Sequence, residues 1–376
     1  MTIGAASKGF GTALLAVFQR HGYDFADPGV LQPAAIFLDV SGEDLRKRMF
    51  MTQDAEGREM CLRPEFTIPV CREHLATSQA GEAGSYSYLG PVFRMRAGEP
   101  GEFWQAGIES LGRSDTQAAD AEVLTLTCEA LAAAGLAQPD IHLGDVALLK
   151  AVIRGLNVAS APARRLLRAV SAGKGAVSVA ALDVAAPMAS AAQAGLIAAL
   201  QGQDPKAARG FVEDVLSIAG ISTVGGRTAG DIASRFLARA SEQQETSPEV
   251  RSIMSQMLAI HGDPDDGAAA LRKLAGAAGL DLDAELDAFE ARIGFMAARG
   301  LDIGAMRFST SFARNLDYYT SFIFEVHTPV LLSSAPSRPV AGGGRYDTLL
   351  GKLGAADPMP AVGASIWLDR LWRRPA

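Results

Sequence analysis

Strand-like sequence occurs in two blocks that are separated by a long helical stretch. The first block contains the segments GREMCLRPEF, SYSYLGPVFRMR and FWQAGIESLG, with turns rich in Gly, Pro and Asp between them. The second block contains MRFSTSF, DYYTSFIFEVH and AVGASIWL. One discontinuous domain, residues 1–147 and 301–376, is the simplest arrangement that pairs these strands, and we expect its sheet to be antiparallel.

Residues 148–300 are richer in alanine, leucine and charged residues, which predicts a mainly helical insertion. Its clearest helix carries one apolar stripe, formed by Leu282, Leu286, Phe289, Ile293 and Met296. In the first block, a helix over residues 116–134 is expected to lie against the sheet. The fold class predicted from these patterns is α+β.

Composition narrows the class of protein. The chain has 376 residues, 48% of them hydrophobic, and a net charge of -7 with its basic residues scattered, which disfavours stable nucleic-acid binding. Three cysteines without a C-x-x-C pair are typical of reduced thiols in a cytoplasmic protein. The longest apolar run is interrupted by Asp183 and Pro187, so no membrane span is expected.

Nucleotide and metal motifs are incomplete. GFGTAL has Leu14 where a dinucleotide fingerprint needs glycine, and SAGKGAVS has Gly175 after its lysine where a P-loop needs Ser or Thr. The spacing of Cys61, Cys71 and His74 matches no common zinc site. We therefore expect no cofactor and no metal.

Four segments, taken in chain order, resemble the class II aminoacyl-tRNA synthetases in their histidyl form. CLRPEFTIPVCRE is similar to the Leu-Arg-Pro-Glu-x-Thr element of that family, and GPVFRMR with FWQAGIESLG resembles its motif 2. FARNLDYYTSFIFE resembles the histidine-specific Arg-Gly-Leu-Asp-Tyr-Tyr element, and AGGGRYDTLL with MPAVGASIWLDRL looks like the glycine-rich strand and motif 3. The resemblance implies the class II synthetase fold, an antiparallel sheet flanked by helices.

The same resemblance implies a pocket for free histidine. An α-amino group needs carboxylates and other acceptors, an α-carboxylate needs a guanidinium, and an imidazole suits phenolic partners. The residues that the resemblance suggests are Glu65, Thr67, Gln105 and Glu109 for the amino group, Arg94 or Arg314 for the carboxylate, and Tyr319 and Tyr346 for the ring.

Each of these residues also has an ordinary structural interpretation. Glu65 could form a local ion pair with Arg63, and Gln105 and Glu109 could be strand residues that face solvent. Tyr318 or Tyr319 could be ordinary sheet packing. The glycines at 342–344 could serve close backbone approach whether or not a ligand binds.

Departures from the family pattern concentrate on the nucleotide. Arg96 stands where the synthetases carry a glutamate that accepts from adenine, and arginine has no acceptor, so the loss would cost about 1–3 kcal/mol. Trp367 stands where motif 3 carries a glycine and is expected to fill nearby volume. Glu99 and Glu102 replace basic residues of the motif 2 loop and should repel phosphates.

Two further differences concern the rest of the chain. The sequence ends at Ala376, directly after the segment that resembles motif 3, so we expect no anticodon-binding domain and no tRNA partner. Asn315 replaces the glycine of the histidine-specific element, a milder change because asparagine tolerates positive φ.

Two functions remain open on the sequence. One is a truncated histidyl-tRNA synthetase-like ligase that adenylates an amino acid. The other, favoured by the damaged nucleotide half, is a regulatory subunit, since the pattern is similar to the synthetase-like regulatory subunits of ATP phosphoribosyltransferase. That resemblance implies binding of histidine, activation of a short catalytic subunit in the first step of histidine biosynthesis, and feedback control within a hetero-oligomer. It also implies a self-dimer through DPGVLQPAAIF, where Val30, Leu31, Ile36 and Phe37 are apolar.

Overall fold

The fold is taken from a computed structural model of the chain. It describes residues 5–38, 47–77, 79–171, 210, 214, 223–224, 227–228, 247–312, 318–329 and 338–372. The segment SAGKGAVS falls almost wholly outside the described residues, as do Arg314 and Asn315.

The helices alternate with strands along most of the described chain. They are α1 (Ala5–Arg20), α2 (Thr67–Leu75), α3 (Thr116–Ala133), α4 (Val146–Gly155), α5 (Ser160–Ser171), α6 (Pro248–Leu258), α7 (Pro264–Ala278), α8 (Asp283–Ala298), α9 (Leu349–Lys352) and α10 (Leu368–Trp372). Among the described residues, no helix combines the length and the apolar character that a bilayer span requires.

The strands belong to one large sheet and two small ones. They are β1 (Asp24–Phe25), β2 (Leu31–Pro33), β3 (Met51–Gln53), β4 (Glu59–Leu62), β5 (Gly84–Phe93), β6 (Glu102–Leu111), β7 (Asp140–Asp145), β8 (Thr223–Val224), β9 (Arg227–Thr228), β10 (His261–Gly262), β11 (Arg307–Ser309), β12 (Phe322–His327), β13 (Ala341–Arg345) and β14 (Ala361–Trp367).

Strands from both sequence blocks form the large sheet, in the order β1-β5-β6-β14-β13-β12-β7-β11-β10. Its six central strands, from β5 to β7, are all antiparallel. The late strand β14 lies between β6 and β13, and it pairs Gly363 with Glu109 on one side and with Gly344 on the other. The predicted α+β class and the antiparallel sheet built from both blocks are confirmed.

Helices cover one face of this sheet. α3 contacts β6, β13 and β14, as expected for the helix predicted at 116–134, and α8 packs against α3. On α8 the buried residues include Leu286, Phe289, Ile293 and Met296, which belong to the predicted stripe. Arg292 lies among them, 3% exposed, and pairs with Asp120 on α3 at 2.7 Å and with Asp145 on β7 at 2.8 Å.

The chain divides into two compact units, residues 1–151 with 257–376 and residues 152–256. The second boundary differs from the predicted one, because the predicted insertion extended to residue 300. α7 and α8 belong to the first unit, since α7 contacts β11 and α8 contacts α3. Helical periodicity alone could not separate a helix of the insertion from a helix that covers the sheet.

The opposite side carries the small sheet β2-β4-β3 with α2 and α9. A core cluster there includes Phe37, Cys61, Ile68, Cys71 and Tyr346. Phe37 is fully buried, so it belongs to this core rather than to an outer surface. The exposed large apolar residues of the segment DPGVLQPAAIF are Val30 at 38% and Leu31 at 46%.

Candidate functional site

Strand register sets out the polar residues of the site on one face of the sheet. Side chains alternate along β6, so Gln105, Gly107 and Glu109 point to the same side. Arg345 sits on the opposite side, because its register partner is Val362 and it contacts Asp120 of α3. The face that carries Glu109 is therefore the one that α3 does not cover.

Glu109 is the centre of this face. It is 1% exposed, and its carboxyl group accepts hydrogen bonds from the Thr67 hydroxyl at 2.7 Å and from the Tyr346 hydroxyl. Burial raises the pKa of Glu109 to about 8, although the hydroxyl donors act in the opposite direction. Without a ligand this carboxyl group therefore holds a proton at neutral pH, and a cation bound beside it would favour the charged form, which accepts hydrogen bonds from ligand N–H groups.

Gly363 makes room for this carboxyl group. It lies directly across the ladder from Glu109, and a Cβ atom at this position would overlap Glu109 Oε2. The carboxyl group therefore rests over the Gly363 backbone, where any larger residue would displace it. Sequence reasoning missed Gly363, although the glycine in AVGAS was a visible signal of close approach within a strand.

Glu65 and Thr67 enter the site from the start of α2. Glu65 accepts hydrogen bonds from the backbone N–H groups of Thr67 at 2.6 Å and Ile68 at 3.0 Å. Burial raises the pKa of Glu65, while these N–H donors and the nearby Arg94 lower it. Arg63 donates instead to the carbonyl groups of Pro28 and Pro91, so it is not held in a local pair with Glu65.

Gln105 is buried with an unsatisfied acceptor. Its side chain is 1% exposed, and within the described part of the chain its Oε1 has no hydrogen-bond partner. Gln105 and Glu109 are both buried, so the interpretation as solvent-facing strand residues is wrong for both. A buried amide oxygen without a donor costs about 1–3 kcal/mol, which a ligand N–H group at this site would recover.

Aromatic residues line the far side of the pocket. Tyr318 lies close enough to Glu65 and Glu109 for both carboxylates to raise its pKa, although burial is the larger cause. Its ring lies 5.0 Å from that of Tyr319 and 5.2 Å from that of Tyr346. Tyr318 was not among the predicted site residues, because its sequence context was equally well explained by ordinary sheet packing.

Arg94 borders this pocket. Its Nε donates to the Pro64 carbonyl oxygen at 2.6 Å, and its guanidinium lies 5.6 Å from the Phe103 ring centre. The structure thus brings together Glu65, Thr67, Glu109 and Tyr346 through direct contacts or shared neighbours, with Gln105 on the same face and Arg94 beside Glu65. Tyr319 joins through Tyr318, and Arg314 falls outside the described residues.

The neighbouring region, which the resemblance in sequence assigns to a nucleotide, is packed with apolar side chains. Trp367 is 6% exposed and belongs to a core cluster with Phe66, Tyr88, Val92 and Phe103. The Phe66 and Tyr88 rings stack at 4.4 Å with an interplanar angle of 8°. Trp367 thus fills volume next to the site, as its size predicts. Phe66, which the sequence analysis did not identify, fills part of the same region.

Arg96 forms ion pairs at the edge of the same region. It pairs with Asp369 at 3.1 Å and with Glu99 at 3.0 Å, and its guanidinium lies 3.9 Å from the Phe103 ring centre. Glu99 also pairs with Arg338. The charge of Glu99 is therefore compensated internally, which weakens its expected role in repelling phosphate, whereas Glu102 remains exposed.

Among the described residues, no group of His, Cys, Asp and Glu side chains has the arrangement of a metal site. The site can bind a small zwitterion that carries several N–H donors. In the described part of the chain, packed aromatic rings and ion pairs occupy the adjoining region.

Comparison with known proteins agrees with this geometry. The family model described as Histidyl-tRNA synthetase matches residues 5–218 and 230–371. The chain is 40% identical over 366 residues to a protein of Mesorhizobium japonicum named ATP phosphoribosyltransferase regulatory subunit, with 96% of this chain and 95% of the relative covered. A protein of Sinorhizobium medicae with the same name is 39% identical over 374 residues and is covered over 96% of both chains.

Solved structures give the fold independently. A Bacillus halodurans protein described as an ATP phosphoribosyltransferase regulatory subunit/histidyl-tRNA synthetase superposes with a TM-score of 0.69 at 20% identity, over 97% of this chain and 78% of that one. The histidyl-tRNA synthetase of Nostoc sp. PCC 7120 gives a TM-score of 0.64 at 17% identity, over 97% and 70%. The chain therefore has the histidyl-tRNA synthetase fold and belongs to the family of ATP phosphoribosyltransferase regulatory subunits.

Proposed function

We propose that this chain is a non-catalytic subunit that binds free histidine and regulates a separate, short ATP phosphoribosyltransferase catalytic subunit. The observation that carries the proposal is the contrast between two adjoining regions of one sheet face. The amino-acid half keeps its buried polar residues, including Gln105 with an unsatisfied oxygen, while aromatic packing fills the nucleotide half. Its relatives are named as regulatory subunits.

The pocket residues suit the chemistry of histidine. Glu65, Thr67 and Gln105 offer acceptors for the ammonium group, and Glu109 accepts from a further ligand nitrogen. Arg94, with Arg314 as the alternative, supplies a guanidinium for the α-carboxylate. Tyr319 and Tyr346 provide phenolic partners for the imidazole, with Tyr318 packed between them.

Feedback requires that histidine bind two states of the assembly with different affinity. A coupling of about 1–3 kcal/mol would change catalytic-subunit activity several-fold to more than a hundredfold. The chain would then work in the cytoplasm, in a hetero-oligomer with the catalytic subunit, without tRNA. Its self-association would use the segment DPGVLQPAAIF, on which Val30 and Leu31 are exposed. The three cysteines are free and buried, consistent with a reducing compartment.

Calorimetric titration tests the ligand. Purified protein should bind histidine, and Glu109→Ala should weaken binding by about ten- to a hundredfold, since charge-assisted hydrogen bonds contribute about 1.5–3 kcal/mol. Glu102→Ala is the matched control, because Glu102 is an exposed glutamate on the same strand. Equal affinity in all three proteins would remove Glu109 from the site.

The alternative, an amino-acid-adenylating ligase, has a separate test. Histidine-dependent exchange of pyrophosphate into ATP should be absent above a no-protein control, because Phe66, Trp367 and Arg96 occupy the adjoining region. Robust exchange would restore the ligase.

Co-expression tests the partnership. The chain should elute with the short catalytic subunit in size-exclusion chromatography, and histidine should inhibit the complex more strongly than the catalytic subunit alone. Separate elution, with a catalytic subunit that is equally active and equally sensitive to histidine on its own, would contradict the regulatory role.

A further inference from the structure

The turn between β5 and β6, residues 94–101, is closed by contacts within the protein. Arg96 donates through Nε and Nη2 to the Pro100 carbonyl oxygen at 3.0 and 2.7 Å, which fastens the turn to itself. Its Nη1 reaches Asp369, 273 residues further along the chain, at 3.1 Å. Its guanidinium also lies over Phe103 at 3.9 Å, so both the edge and the face of this group have partners.

The closed turn is held at a second point. Glu99 pairs with Arg96 at 3.0 Å and with Arg338, which precedes β13. Asp369 lies at the start of α10, next to Trp367 and its apolar cluster. Arg96, Glu99 and Asp369 are each between 13% and 15% exposed, so solvent screens these pairs less than it screens ordinary surface pairs. We name the contacts among Arg96, Glu99 and Asp369 the turn bridge.

Arg94, which borders the amino-acid pocket, begins the same turn. Its backbone N–H donates to the Gly101 carbonyl oxygen at 2.8 Å, and its side chain donates to Pro64 at 2.6 Å. Pro64 precedes Glu65, whose carboxylate accepts a hydrogen bond from the backbone N–H group of Thr67 at the site. A guanidinium that is fixed in this way before the ligand arrives loses less conformational entropy on binding.

We propose that the turn bridge holds the turn closed before any ligand binds, and that Arg96 is a positioning residue for the amino-acid pocket. Asp369 and Glu99 supply the negative charge that faces Arg96, and Phe103 supplies the stacking surface. Arg94 is thereby set for the ligand carboxylate. The proposal rests on the proposed histidine site.

A double-mutant cycle tests the bridge. Arg96→Ala should weaken histidine binding by about tenfold and Asp369→Ala by no more than that, and the double variant should bind no more weakly than Arg96→Ala, because Asp369 acts on the pocket through Arg96. Arg96→Lys should recover part of the loss, since it keeps the charge but not the fork. Arg113→Ala is the matched control, because it removes a partly buried arginine paired with Asp115 and Glu122 away from the turn.

Hydrogen exchange separates this idea from the histidine site itself. In Arg96→Ala the amides of residues 94–101 should exchange faster, while those of the large sheet keep their rates. If the parent protein binds no histidine but the turn still loses protection, the proposed function fails and the bridge stands. Unchanged exchange in the turn, or parental affinity in both single variants, would overturn the bridge. If the amides of the large sheet also exchange faster in Arg96→Ala, histidine affinity and hydrogen exchange in the turn are measured on Asp369→Asn instead. This variant keeps the shape of the side chain, and its two results decide the proposal in the same way.

Discussion

Replacing Glu109 by glutamine tests whether the buried carboxyl group keeps its proton in the folded protein. Glutamine has the same shape, keeps an oxygen for one of the two hydroxyl donors, Thr67 or Tyr346, and cannot ionise. The other hydroxyl must rotate to accept from the new NH₂ group. The variant therefore removes the titration of Glu109 while it disturbs packing little.

The size of the effect follows from the pKa of Glu109, which burial raises from 4.5 to about 8. At about 1.36 kcal/mol per pH unit, this difference corresponds to about 5 kcal/mol. Between these two pH values the unfolded chain has released its proton and the folded chain has kept it. The free energy of unfolding of the parent protein should therefore fall, relative to the variant, as the pH rises through this window.

Urea unfolding without histidine, at several pH values from about 5 to about 8.5, measures the effect. The stability difference between Glu109→Gln and the parent should shift in favour of the variant by at least about 3 kcal/mol across this range. Glu102→Gln, at an exposed position of the same strand, should show no comparable shift. A difference that changes by less than about 1 kcal/mol would refute the idea that the folded protein holds this proton.

Two further variants test the buried contacts. Arg292→Met should lower the free energy of unfolding by about 3–5 kcal/mol in urea, because it leaves the buried carboxylates of Asp120 and Asp145 without this partner; a loss under about 1 kcal/mol would contradict it. Gly363→Ala should weaken histidine binding at least about tenfold in calorimetry, because the new methyl group would displace the Glu109 carboxyl group; parental affinity would show that the carboxyl group is not needed where it lies.

Much of the sheet could be predicted because its strands carry local signals. The alternation in β6 and the turn residues around it identify a strand, and the family pattern orders the segments around Glu65, Glu109 and Tyr346. These residues are brought together in the structure. Their use as a histidine site stays a prediction.

Other features depend on contacts between residues that are far apart in the sequence, and no local pattern predicts such contacts. Arg292 interrupts an apolar stripe, and only the fold reveals the two buried acids that compensate its charge. The sequence around Phe66 does not indicate where this side chain packs, whereas in the fold it lies in one cluster with Tyr88 and Trp367. Arg96 was recognised as a departure from the family pattern, but its pairing with Asp369 joins positions 273 residues apart. Such long-range pairs follow from topology rather than from sequence periodicity.

The position of β14 between β6 and β13 also sets when the site comes into existence during protein synthesis. Tyr88 donates a hydrogen bond to the Ala364 carbonyl oxygen, 276 residues away, so the ribosome must translate most of the chain before this contact can form. Until then β6 has an unpaired edge, with its backbone N–H and C=O groups open to other strands. Forming contacts over this sequence distance slows folding. Gly363 can lie beside Glu109 only after β14 has been synthesised, so the candidate site cannot assemble from the first sequence block alone.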